Sequence, residues 1–167
     1  RLWERNPNQA EALATAYGRC TALEAGTLGL NWVLGPVCDV NNNPANPVIN
    51  VRAWGETTEA ASALSRCFLV GLQREGVLGC AKHFPGHGDT ASDSHLELPL
   101  IPHNLERLER IELPPFQAAI TAGCASVMTA HLLMPAIDAE RPATLSKAVL
   151  TNLLRKRLGF DGLVVTD

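Results

Sequence analysis

Residues 81–99 read AKHFPGHGDTASDSHLELP. Three of the chain's five histidines (His83, His87, His95) fall here, together with Lys82, Asp89 and Asp93. The apolar run Val77-Leu78-Gly79-Cys80-Ala81 leads straight into the stretch, and Pro85, Gly86 and Gly88 then break any regular element. This is the pattern of a buried strand ending in a polar loop. A loop held by a rigid strand is where binding and catalytic groups concentrate.

The same alternation repeats on both sides. Upstream, the spacing of Ala10, Leu13, Ala14, Tyr17, Cys20, Leu23 and Leu28 predicts an amphipathic helix over 8–28, with Pro7 in its first turn, Asn6 as cap and Gly29 closing it. A short apolar strand is expected over 31–37, ended by Gly35-Pro36. An asparagine-rich loop over 39–55 carries the lone Arg52, and a second helix over 57–75 is capped by Thr57 or Thr58 and stopped by Gly76. Downstream, Asn104 caps a helical stretch over 105–122 that Pro114-Pro115 must kink or break. A strand over 124–130, a helix over 147–158 capped by Ser146, and a strand over 162–166 complete the series. Strands apolar on both faces and separated by helices predict a parallel sheet. Polar residues gather after the strand ends: Asp39, Lys82-His83, His131 and Asp167. A (β/α)8 barrel and an open doubly wound sheet both mount their sites on that edge, but no GxGxxG follows the first strand. The expected fold class is therefore α/β, a partial TIM-type barrel of about four βα units. Residues 1–167 are expected to be one part of a single barrel, an internal piece lacking the initiator Met before Arg1-Leu2-Trp3.

A formal charge of −3 offers no basic footprint for nucleic acid. No apolar run approaches the ~20 residues of a membrane helix, and no signal or lipidation motif is present. Cys20, Cys38, Cys67, Cys80 and Cys124 show no CxxC pair or zinc spacing, and read as small buried hydrophobes of a reducing compartment.

The chemistry of the histidine loop stays open on residues alone. In extended backbone Asp93 and His95 point to the same side, so the carboxylate can orient the imidazole and raise its pKa toward that of a neutral-pH proton donor. A Ser/Asp-stapled turn with a solvated His is the simpler reading of that triplet. Lys82 and His83 face opposite sides of a regular strand, and only a bulge would bring both to one pocket. His83, His87, Asp89, Asp93 and His95 also offer nitrogen and oxygen ligands for a metal, though without a familiar spacing. Asp167 is either a turn or cap residue, or a nucleophile kept ionised by Lys82 or Arg52.

KHFPGHGDTASDSH (82–95) resembles the signature of glycoside hydrolase family 3, in its β-N-acetylglucosaminidase (NagZ-type) branch. GPVCDVNNNPANPVINVRAWGE (35–56), SVMTAHLLMPAID (126–138) and PATLSKAVLTNLLRKRLGFDGLVVTD (142–167) resemble further stretches of the same barrel, in order and at natural spacing. The resemblance implies retaining hydrolysis of terminal β-linked N-acetylglucosamine from peptidoglycan-derived or chitin-like oligosaccharides. It implies Asp167 as nucleophile, His95 as acid/base oriented by Asp93, and Arg52, Lys82 and His83 on the sugar hydroxyls, with His131 and Met134 lining the pocket. Replacing a carboxylic acid donor by a histidine also removes a negative charge, which would ease binding of an anionic neighbouring sugar. No cofactor and no metal are implied, and the partners are a carbohydrate substrate and the remaining barrel halves of the parent chain. Two sugar-binding residues of the family, an Asp and an Arg, belong to strands expected before Arg1, so the 167 residues alone are expected to be inactive. Other readings of the same residues are a phosphorylase, a β-glucosidase of the family, and a non-catalytic sugar- or metal-binding fragment. The family works in the cytoplasm or at the cell surface and periplasm; the cysteines lean to the cytoplasm.

Overall fold

The computed structural model describes residues 2–91 and 98–167. A short helix α1 (Leu2–Arg5) precedes the long α2 (Pro7–Thr27). Strand β1 (Trp32–Val33), a 3₁₀ turn (Asn50–Arg52), α3 (Thr58–Arg74) and β2 (Leu78–Phe84) follow. Then come α4 (Leu105–Arg110), α5 (Pro114–Thr121), β3 (Ser126–Thr129), a second 3₁₀ turn (Ala143–Leu145), a closing helix (Ala148–Arg157) and β4 (Leu163–Thr166).

Local chemistry sets most of these boundaries. Asn6 accepts from Gln9 N, and Thr57 accepts from Ala60 N, each satisfying a donor its helix cannot pair. Gly29, Gly76, Gly123 and Gly159 each take a positive φ just past a helix end, the conformation glycine adopts without a Cβ penalty. The pair Pro114-Pro115 splits the predicted helix over 105–122 into α4 and α5, as the missing amides require. Ser146 Oγ accepts from Val149 N at 3.2 Å and so starts the closing helix, which winds in the wide π form.

The four strands are parallel and lie in the order β1-β2-β3-β4, with a helical crossover between each pair. A doubly wound sheet reverses its strand order at a switch point; a barrel does not. The unbroken order decides for a partial TIM-type barrel. The strand expected over 31–37 is shorter than its apolar run. Regular pairing stops at Val33 and resumes only at a single Val37–Lys82 bridge, because Gly35-Pro36 interrupts the ladder with a residue that has no amide hydrogen.

The main core lies between the sheet and the helices. Phe84 and Val127 from β2 and β3 meet Leu69, Phe116, Leu153, Leu154 and Phe160, all buried, and the rings of Phe84 and Phe116 meet edge-on with centroids 5.2 Å apart. The contact of α2 with α3 corrects the sequence expectation. The buried face is not the stripe of large residues but Ala10, Ala14, Gly18, Ala22 and Ala25, while Leu13, Tyr17, Leu23 and Leu28 are exposed. The helices approach backbone to backbone: a Cβ at Gly18 would stand 2.0 Å from Phe68 O, and one at Gly71 would stand 2.0 Å from Thr15 O. Small residues allow this approach and large ones forbid it, so Ala10 and Ala14 of the predicted stripe are buried while Leu13, Leu23 and Leu28 face outward and Tyr17 stays at the margin, its ring against Phe68. Of the cysteines, Cys38, Cys67, Cys80 and Cys124 are buried as expected, whereas Cys20 is exposed. Burial pushes the Cys124 thiol up to about 11, which leaves it unreactive near neutral pH. No helix is long and apolar enough to cross a membrane, among the described residues.

Candidate active site

The strands deliver their polar ends to one edge. Asp39 follows the Val37 bridge, Lys82 and His83 close β2, His131 follows β3, and Asp167 follows β4. The register of β2 on β3 shifts between Ala81 and Phe84, where three steps on β2 match two on β3. A regular strand would turn Lys82 and His83 to opposite sides, and the ladder is irregular at these two residues.

Asp39 is the centre of the arrangement and is fully buried. Its Oδ2 lies 2.7 Å from His83 Nδ1, and its Oδ1 accepts from His87 N at 2.7 Å. His83 N donates to both carboxylate oxygens, at 3.2 and 3.3 Å. Burial pushes the Asp39 carboxyl up, but the His83 ring and the His87 amide bonded to it outweigh the burial and hold it below its ordinary value. The far nitrogen of His83, Nε2, lies 3.5 Å from Arg52 Nη2. Arg52 is therefore carried to the edge by its 3₁₀ turn, although 31 residues separate it from His83.

Lys82 is half-buried. Burial and the Arg52 charge lower its pKa, while Asp167 and Asp39 act the other way, so Lys82 shares the field of both carboxylates. Asp167 is exposed at the strand end, its amide donating to Thr129 O. His131 Nε2 donates to the backbone oxygen of Asp167 at 2.9 Å, and its Nδ1 lies 2.9 Å from Thr144 Oγ1. The structure thus brings Arg52, Lys82, His83, His131 and Asp167 to one edge. Met134 is 1% exposed, in an apolar cluster with Ile101, Leu108, Ala130 and Leu132, so its side chain serves packing. Asp93 and His95 lie outside the described residues.

The sequence reading placed Asp39 among the strand-end polar residues but gave it no role. It also passed over Asn46, which is buried, reaches His87 O at 2.8 Å and Gly88 O at 2.9 Å through Nδ2, and accepts from Val48 N and Ile49 N at 2.9 Å. One amide so joins the turn bearing Arg52 to the histidine loop. A Cβ at Gly88 would meet Val40 O at 1.8 Å, so only glycine fits that crossing.

A second polar group flanks the loop. Asp89, His103 and Glu112 present ligand atoms within 4.8 Å of one another, a spacing open to a metal. Arg107, however, stands 2.9 Å from Asp89 and 3.4 Å from Glu112, and His103 Nε2 lies 2.6 Å from Asp89. A guanidinium already supplies the positive charge, and the group reads as a brace tying α4 to the loop.

A parallel barrel edge with an ion-paired cluster occurs on many chemistries. Comparison with known proteins gives the family. The Glycosyl hydrolase family 3 N terminal domain matches residues 4–167. The chain belongs to glycosyl hydrolase family 3. Within the family it is 39% identical to the Beta-hexosaminidase A of Pseudoalteromonas piscicida, over 96% of this chain and 29% of that protein. It is 36% identical to the Beta-hexosaminidase of Thiobacillus denitrificans, over 99% of this chain and 46% of that one. Among solved structures it resembles a family 3 beta-N-acetylglucosaminidase from Paenibacillus, at TM-score 0.93 and 49% identity, covering 94% of this chain and 30% of the other. It also resembles NagZ from Neisseria gonorrhoeae in complex with N-trifluoroacetyl-D-glucosamine, at TM-score 0.92 and 36% identity, covering 99% of this chain and 49% of the other. The chain thus spans half or less of the length of these family 3 relatives.

Proposed function

We propose that this chain carries the catalytic edge of a retaining glycosidase that removes terminal β-linked N-acetylglucosamine. The supporting observation is the convergence of Asp167, Lys82, His83 and Arg52 on the C-terminal edge of a family 3 sheet, the edge where barrels mount their chemistry. In this reading residues 1–167 are one part of a single catalytic barrel. Arg52, Lys82 and His83 hold the sugar through its hydroxyls, and His131 borders the pocket.

The proposed reaction runs in two displacements. The Asp167 carboxylate attacks the anomeric carbon as His95, oriented by Asp93, gives its proton to the leaving oxygen. A glycosyl-aspartate forms and the aglycone departs as the alcohol. Water then attacks the same carbon while the neutral imidazole takes up its proton, which frees Asp167.

The test uses the full-length polypeptide and an aryl N-acetyl-β-glucosaminide. Asp167→Asn is expected to lower kcat by roughly 10³-fold or more, as loss of a covalent nucleophile does. His95→Ala is expected to slow an unactivated disaccharide far more than an activated aryl glycoside, whose leaving group needs little protonation. Equal losses on both substrates would remove His95 from the donor role. Added phosphate yielding the sugar 1-phosphate faster than free sugar would make the enzyme a phosphorylase.

A further inference from the structure

The ring of His83 sits between two groups of opposite hydrogen-bonding character. On one side is the Asp39 carboxylate, fully buried, with Oδ2 2.7 Å from Nδ1. An ionised carboxylate only accepts, so Nδ1 must carry the hydrogen. On the other side is the Arg52 guanidinium, with Nη2 3.5 Å from Nε2. A guanidinium only donates, so Nε2 must hold a lone pair. An imidazolium would turn an N–H toward that donor, and the opposite tautomer would oppose like groups on both sides.

We propose that Asp39 is a positioning residue: it fixes His83 as the Nδ1–H tautomer and so presents Nε2 as an acceptor to Arg52 and to a hydroxyl of the bound sugar. The carboxylate also accepts the amides of His83 and His87, which sets the ring plane and the start of the histidine loop with the same two oxygens. Asp39 touches no substrate; it acts through the ring. The sugar contact rests on the proposed glycosidase reading, whereas the tautomer does not.

The experiment uses the full-length polypeptide labelled with ring-15N histidine, the His83 signals being those that vanish in His83→Gln. The wild type is expected to show a protonated-type Nδ1 and an unprotonated-type Nε2 near neutral pH. Arg52→Gln, a change at an exposed residue, is expected to leave that pattern intact, because Asp39 holds it. Asp39→Asn places an amide NH₂ against Nδ1, so the pattern is expected to invert. With it, kcat/KM for an aryl N-acetylglucosaminide is expected to fall roughly 10- to 100-fold, as when a partner that orients a site residue is lost. The double variant Asp39→Asn/His83→Gln is expected to be no slower than His83→Gln alone. A protonated Nε2 in the wild type would overturn the proposal, as would additive losses in the double variant. If Asp39→Asn does not fold, the wild-type and Arg52→Gln spectra still decide the tautomer. A wild type that shows the expected spectrum but no hydrolysis would sink the glycosidase reading and leave the tautomer standing.

Discussion

At the scale of single residues the buried histidines carry the sharpest consequence. His87 is 1% exposed, and its Nδ1 lies 2.7 Å from Thr90 Oγ1. Burial lowers its pKa from the ordinary 6.5, with the Asp39 charge pulling the other way. The unfolded chain therefore binds a proton more readily than the folded one just below 6.5, and stability in that window rises with pH. The full-length protein is expected to lose thermal stability as the pH falls from about 7.5 to about 5.5, and His87→Gln to lose less over the same range. Parallel melting-temperature slopes for the two would show that His87 does not titrate against folding. The residues of the edge were legible to different degrees. Lys82, His83 and Asp167 stand out because apolar runs end on them. Asp39 lies 44 residues from His83, and no local spacing reports that pairing. Its only trace in sequence is a lone acid after a strand.

At the scale of elements, caps and breakers were readable because they act over three or four residues, and Asn6, Thr57 and Pro114-Pro115 do what their chemistry dictates. The buried face of α2 was readable only at Ala10 and Ala14, because Gly18 and Gly71 select the rest through a helix-to-helix approach distant in sequence. The asparagine-rich segment over 39–55 has the composition of a plain loop, yet Asn46 ties it to the histidine loop. Replacing Asn46 by Ala leaves His87 O, Gly88 O, Val48 N and Ile49 N without these partners inside the fold. Asn46→Ala is expected to destabilise the full-length protein by roughly 2–3 kcal/mol, the scale for orphaned buried polar groups. Because the same amide ties the Arg52 turn to the histidine loop, KM is expected to rise even at temperatures where the variant is fully folded. Denaturant midpoints and steady-state kinetics on the same preparation check both; unchanged KM in a folded variant would separate the clamp from sugar binding.

At the scale of the whole molecule, the parallel sheet was legible from doubly apolar strands separated by helices, and its strand order then settled barrel over doubly wound sheet. Closure was not legible, because closing a barrel is a property of all its strands together. Within the described residues β1 pairs only with β2, and β4 only with β3, so both edges of the sheet present unpaired backbone groups. Leu163 on β4 is 57% exposed and Leu78 on β2 is 51% exposed. Each such side chain left in water forgoes about 1.5–3 kcal/mol of burial, and a domain's net stability is only ~5–15 kcal/mol. Open parallel edges with apolar faces also template association with other chains. Residues 1–167 expressed by themselves are therefore expected to melt broadly, to bind a hydrophobic dye at room temperature, and to turn over no aryl N-acetylglucosaminide. The control is the full-length polypeptide, expected to melt sharply and to be active. A single sharp transition with turnover from the 167 residues would mean that four strands suffice, and that the exposed leucines contribute little to what holds the fold together.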